Sequence, residues 1–288
     1  MHTNSTPIAP PESRRVERLV AGKAVTDGAG VKLTRVLTAE LQTRLDPFLM
    51  LDEFRSDSPG DYIAGFPDHP HRGFETITYL LAGQMRHRDN AGHQGLLGPG
   101  GVQWMRAGRG IVHSEMPEQR DGLLHGFQLW LNLPARRKLS EPVYRDIAAE
   151  EIPQDETDAG AVVKVIAGDS RGVSGPLQCP DTEPLILDIA LPAGAVHRQN
   201  LPPQYNGFLF VHSGEVFAGP DDQRVPARTL AVLTNGPRAV ALRAEQEARL
   251  LLIAGRPLGE PIAQGGPFVM NTRAEVEQAF ADYRNGRF

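Results

Sequence analysis

The chain has 288 residues, about twice the size of a common single domain, so two moderate domains are the natural expectation. A net charge of -5 gives no global attraction to nucleic acid or an anionic membrane, and the single cysteine, Cys179, excludes an intrachain disulfide framework. Glycine (30) and proline (24) are abundant while aromatics are only 6%, a composition suited to short strands joined by tight turns.

In chain order, the opening MHTNSTPIAPPESRR has no apolar core of signal-peptide length, and no run elsewhere approaches the ~20 apolar residues of a membrane span. Residues 1–15 are expected to form a flexible tail, no membrane is expected as a partner, and the cytoplasm is the default compartment, in keeping with Cys179 read as a buried small apolar residue. Residues 16–140 show short alternating runs broken by Gly, Pro, Asp and Asn, as in Phe74 to Leu81 before Ala82 and Gly83, and predict a β-sandwich or barrel. The alternation returns from Phe127 to Leu133 and stops at Pro134, where a domain edge is expected. Residues 141–160 read as an acidic, solvated connector. Across 161–288 the runs Pro184 to Gly194, Gly207 to Val216 and Arg249 to Gly255 repeat the strand-and-glycine style, which points to an internal duplication. At the end, Thr272 caps a stretch placing Val276, Ala279, Phe280 and Tyr283 on one stripe, a short amphipathic helix.

Chemistry concentrates in one window. Six of the nine histidines, at 69, 71, 87, 93, 113 and 125, fall between positions 69 and 125. In extended chain, residues i and i+2 share a face, so His69 and His71 across Pro70 offer two imidazoles to one point, and His113 and Glu115 across Ser114 offer an imidazole and a carboxylate. Two such pairs on neighbouring strands would supply three nitrogens and one oxygen to one ion, a set suited to Fe, Mn, Co, Ni or Zn. The glycines of Gly98 to Gly101 and Ala107 to Gly110 let the backbone turn sharply before the second pair. Arg72 reads either as a hydrogen-bond partner of Glu115 or substrate, or as an exposed salt bridge. Glu75 completes a His-x-His-x3-Glu spacing. His87, His93 and His125 read as ordinary satisfied histidines, as do His197 and His212 in the second half. Gln128 and Trp130 share a strand face, with plain packing the stronger expectation over lining a pocket.

The stretches Gly65–Thr76 (GFPDHPHRGFET) and Gln103–Glu115 (QWMRAGRGIVHSE), with Asp46–Asp52 (DPFLMLD) and Gly265–Thr272 (GGPFVMNT), resemble the pirin family of bicupins over nearly the whole chain. The resemblance implies an all-β fold of two stacked cupin barrels with a short C-terminal helix, and one divalent transition metal per chain, expected to be Fe(II). It maps the ligands onto His69, His71, His113 and Glu115, keeps Glu75 out of the ligand set, and puts metal only in the first barrel. Counting back 14 and 12 residues from Gly83 reaches His69 and His71, while the same count from Gly214 reaches Asn200 and Pro202, and proline has no side-chain donor. The implied activity is a dioxygenase of the quercetin 2,3-dioxygenase type, taking a polyphenol and O2, with Glu115 accepting the substrate hydroxyl proton. The competing expectation is an iron-binding, redox-sensitive regulator with a protein partner and no turnover.

Overall fold

The computed structural model describes residues 12–288. Two seven-stranded antiparallel sheets dominate it. The first runs, in spatial order, Val143–Ile147, Val102–Arg106, Phe74–Ala82, Leu124–Asn132, Phe48–Ser56, Val31–Leu37 and Lys23–Asp27. The second runs Val16–Ala21, Thr229–Leu233, Asn206–Ser213, Ala248–Gly255, Leu185–Leu191, Val162–Ala167 and Gln154–Glu156. Each half adds a four-stranded sheet, Phe66–His71, Ile111–Pro117, Met85–Asp89 and Gln94–Leu97 in the first, Val196–Asn200, Ala239–Arg243, Glu215–Ala218 and Gln223–Pro226 in the second. The result is two β-barrels in tandem. Among the described residues no helix is long and apolar enough to cross a membrane.

Strand alternation decides which side chains meet which. On Asn206–Ser213, Phe208 and Phe210 point out of the second barrel and pack with Phe127, Leu129 and Leu131 of the first, while Leu209 and Val211 point into the second barrel's own core. The two large sheets therefore pack face to face, and one apolar cluster spans both halves. The second barrel is filled by Val163, Val165, Leu187, Ile189, Leu250, Leu252 and their neighbours. Among the described residues, the one histidine cluster that could hold a metal lies in the first half.

Sheet membership departs from the expected boundaries. Val16–Ala21, expected to open the first unit, pairs antiparallel with Thr229–Leu233 and closes the edge of the second sheet. The preceding Arg14 is fully buried, its guanidinium donating to the carbonyls of Tyr205 (2.8 Å), Pro202 (2.6 Å) and Pro237 (3.1 Å), so residues 13–15 are anchored rather than tail-like. Residues 1–11 of the expected tail lie outside the described residues. Val143–Ile147, expected in the connector, pairs with Val102–Arg106 in the first sheet, and Gln154–Glu156 joins the second. Alternation reveals a strand, but which strand it pairs with is set by tertiary pairing that local pattern does not carry.

The terminal helix spans Arg273–Arg284, with Thr272 and Glu275 forming a reciprocal capping box. Val276 and Ala279 are buried, and Phe280 and Tyr283 lie half-exposed beside Phe268. The helix belongs to the second half of the chain but docks on the first barrel. Asp282 pairs with the buried Arg72 at 2.8 Å, and the Phe288 ring lies 4.4 Å from the Arg72 guanidinium carbon.

Candidate metal centre

The register of Phe66–His71 against Ile111–Pro117 builds the cluster. His113 lies directly opposite His69, Ile111 opposite His71, and the pairing then slips between His113 and Glu115 so that Glu115 faces Phe66. His71 is two residues from His69 and shares its face. The three rings consequently sit 4.3 to 5.0 Å apart between centroids, and one ring nitrogen from each lies within 4.8 Å of the others.

Hydrogen bonds fix which nitrogen each ring offers. His69 Nδ1 is 2.8 Å from the Pro67 carbonyl and His71 Nδ1 is 3.4 Å from the Pro267 carbonyl. A carbonyl only accepts, so both rings carry their proton on Nδ1 and present a bare Nε2. His113 Nε2 is buried with no hydrogen-bond partner. Such a buried nitrogen is costly unless something binds it. Burial first, and the neighbouring His69 second, hold the His71 imidazole well below its usual range. His113 is lowered by burial first and then by His71, His69 and His87. Neutral imidazoles gathered around one point are the donor set a divalent transition ion requires.

Glu115 stands outside the three-histidine group, buried, on the wall of the same cavity. Thr78 Oγ1 lies 3.1 Å from Glu115 Oε1 and 2.5 Å from Gln128 Oε1, and its single proton serves one of them at a time. Gln128 Nε2 donates toward Glu115 Oε2 at 3.5 Å. The cavity has a volume of about 670 Å³ and is lined by His69, His71 and Glu115, with Met50, Phe54, Phe66, Met85 and Trp130 among its apolar walls. Arg35 and Asp52, also in its lining, form a two-pronged pair at 2.9 and 2.7 Å.

Two family models match the sequence, pirin over residues 30–131 and the pirin C-terminal cupin domain over residues 186–288. The chain belongs to the pirin family. A pirin-like protein from Caulobacter vibrioides is 50% identical over 276 residues, covering 96% of this chain and 99% of that one. Human pirin is 43% identical over 279 residues, covering 96% and 94%. A crystal structure of quercetin 2,3-dioxygenase from Acinetobacter baumannii superposes with a TM-score of 0.90 at 32% identity, over 96% of this chain and 98% of that one. The two barrels are thus the paired cupin domains of a pirin.

In this pirin the remaining candidate residues sort by strand parity. Gln128 and Trp130 line the cavity, where packing had been the stronger expectation, because the odd-numbered Phe127, Leu129 and Leu131 of their strand take the face toward the second barrel. Glu75 likewise lies on the outward face of its strand with Ile77 and Tyr79, away from Thr78 and the cavity. Arg72 forms a salt bridge as one expectation had it, but a buried one: its Nη1 binds Asp282 and its Nε donates to the Arg109 carbonyl. His125 Nε2 is 3.0 Å from Glu53 Oε1, and His197 and His212 are buried outside the cluster. His87 is hydrogen-bonded as expected, to Asp89, but it has no contact with solvent, and its Nδ1 lies 3.4 Å from Nδ1 of His113.

Proposed function

We propose that this pirin is a metal-dependent dioxygenase of the quercetin 2,3-dioxygenase type, holding one Fe(II) through His69, His71, His113 and Glu115 and cleaving a flavonol with O2. The observation that carries the reading is three converging imidazoles, with the buried His113 Nε2 unpartnered, beside a roomy, largely apolar cavity with a carboxylate on its wall. The likeness to the Acinetobacter baumannii dioxygenase structure supports it. Iron, when bound, would supply the redox chemistry with dioxygen that no side chain provides.

The protein's own residues supply the rest. The apolar walls fit the flat rings of a polyphenol and exclude water from the reacting face. Glu115 takes the proton of the substrate hydroxyl onto a carboxylate oxygen, oriented by the Thr78 hydroxyl and the Gln128 amide. A concave cavity of this volume favours a small substrate over the alternative of a regulator acting through a partner surface.

The test is aerobic incubation of metal-stripped and Fe(II)-reloaded protein with quercetin, following loss of its visible absorption. Metal-dependent consumption that disappears in the double variant His69→Ala, His71→Ala is expected. Absence of any metal-dependent consumption by protein shown to carry iron would reject the enzyme reading.

A further inference from the structure

We propose that Asp89 and His87 form a buried hydrogen-bond chain that holds the His113 imidazole with its proton on Nδ1, making them positioning residues of the metal centre. The inference rests on the ligand assignment of the preceding section, and goes beyond it to residues that touch neither cavity nor ion.

The chain starts from strand register. On Met85–Asp89 and Ile111–Pro117, Asp89 faces His113 and His87 faces Glu115. His87 and Asp89, two residues apart, share a face with the ligands. Asp89 Oδ1 accepts the backbone N–H groups of Ala91 at 3.0 Å and His93 at 2.9 Å, so that oxygen is occupied by donors that cannot turn away. Its Oδ2 lies 3.1 Å from His87 Nε2 and 2.9 Å from His93 Nδ1, with the carboxylate shut off from solvent. A carboxylate accepts, so His87 carries a proton on Nε2, and in the neutral ring its Nδ1 is bare. That bare nitrogen is the atom 3.4 Å from His113 Nδ1. His113 must therefore be the donor, and its Nε2 is left with a lone pair.

The surroundings hold His87 in this pose. Tyr144 stacks on the ring at 4.3 Å, with its hydroxyl donating to Asp146 Oδ1 at 2.7 Å and accepting from Gln103 Nε2 at 3.0 Å. Gly95 makes room for this pair, since a Cβ there would stand 2.0 Å from both the Tyr144 hydroxyl and Asp146 Oδ2. Each imidazole ligand thus has its Nδ1 proton fixed by a different acceptor, a carbonyl for His69 and His71 and a charged relay for His113. Partners of this kind set ligand tautomer and basicity.

Asp89→Asn is a directed test. Its Oδ1 remains on the two backbone donors, so Nδ2 occupies the Oδ2 position and offers a proton to His87 Nε2. His87 then carries its own proton on Nδ1, facing His113, and drives the His113 proton to Nε2, where it blocks the ion. Nitrogen-15 NMR of the metal-free wild type should show His113 protonated on Nδ1, with the proton moved to Nε2 in Asp89→Asn. Competition with a chelator for Fe(II) should show the dissociation constant raised by roughly 10–100-fold, as for comparable partners of metal-bound histidines. A wild-type proton on Nε2 overturns the proposal even if the variant does not fold. So does a loss of affinity without the tautomer change, which marks a merely structural role. Wild-type protein that takes no metal while showing the Nδ1 tautomer would sink the metal centre and leave the chain standing.

Discussion

Glu75 shows what one carboxyl does when the fold carries it away from the site its spacing suggests. It is buried at the junction of the barrels, with Cys179, Trp104, Arg106 and Asp181 around it. Burial raises its carboxyl from 4.5 to about 7, against the lowering effects of the Cys179 thiol, Arg106 and Trp104, while Asp181 pushes the same way as burial. The folded state therefore holds this proton more tightly than the unfolded chain does. Stability on this account is highest below about 4.5 and falls as pH rises to about 7. Glu75→Gln has no such proton to lose, so its stability relative to wild type should grow by about 3 kcal/mol across that window. Urea denaturation of both proteins at several pH values checks this, and parallel pH profiles would refute it. His69, His71 and His113 were legible because their signal is local, an i, i+2 pair and a neighbour in a histidine-rich window. His87 and Asp89 carry the same spacing, but their meaning depends on register with Ile111–Pro117, and a hydrogen bond between strands leaves no mark on either one alone. The parity of Gln128 and Trp130 was readable too. Which face looked inward was not, because both faces of that strand are covered.

At the scale of elements, the segment Phe268–Met270 and the helix after it brace the first barrel from outside. Val269 N donates to the Arg72 carbonyl at 3.0 Å, and the Pro267 carbonyl receives the His71 ring proton. The buried Lys138 ties the same place together, donating to the carbonyls of Gly73 and Val269, each at 2.9 Å, and to Asn132 Oδ1 at 2.7 Å. Gly73 permits the contact. Its φ is +89°, and a Cβ there would stand 2.0 Å from the Val269 carbonyl oxygen, backbone that cannot swing aside. Gly73→Ala is expected to cost more than about 2 kcal/mol, combining the left-handed strain with displacement of Val269. It should also weaken metal uptake by moving the acceptor of His71, as read by metal content after equal loading and dialysis. Full stability with full metal content would show that the brace is slack. The capped helix was visible in its stripe and its Thr272 signal. Its docking on the opposite half was not, since nothing in residues 272–284 names Arg72 as the partner of Asp282.

Across the whole molecule, duplication was legible as repeated strand style, and the division of labour follows from what fills each barrel. The first keeps a cavity edged by titratable groups, and the second is packed with aliphatic side chains. Polar contacts cross the largely apolar interface between them, among them Asn206 Nδ2 donating to the Asp46 carbonyl at 2.6 Å and a buried pair of side chains. Tyr79, on the outward face of the first large sheet, donates its hydroxyl proton to Asp188 Oδ2 of the second at 2.6 Å. Burial pushes the Asp188 carboxyl up, yet His212 and Tyr79 together more than offset this and hold it below its ordinary range. Asp188 is thus a buried anion whose closest donor comes from the other barrel, with His212 Nε2 farther off at 3.9 Å. Removing the phenol leaves an acceptor without its donor, which costs more than the bond itself contributed. Tyr79→Phe should lower stability by about 1–3 kcal/mol in equilibrium denaturation. Tyr62→Phe is the control, because the Tyr62 hydroxyl donates to the Gly122 carbonyl in an exposed loop, where water replaces it, and its loss should be the smaller of the two. Equal effects in the two variants would mean that Asp188 finds another donor once the phenol is gone, and that this crossing adds nothing to the hold between the barrels.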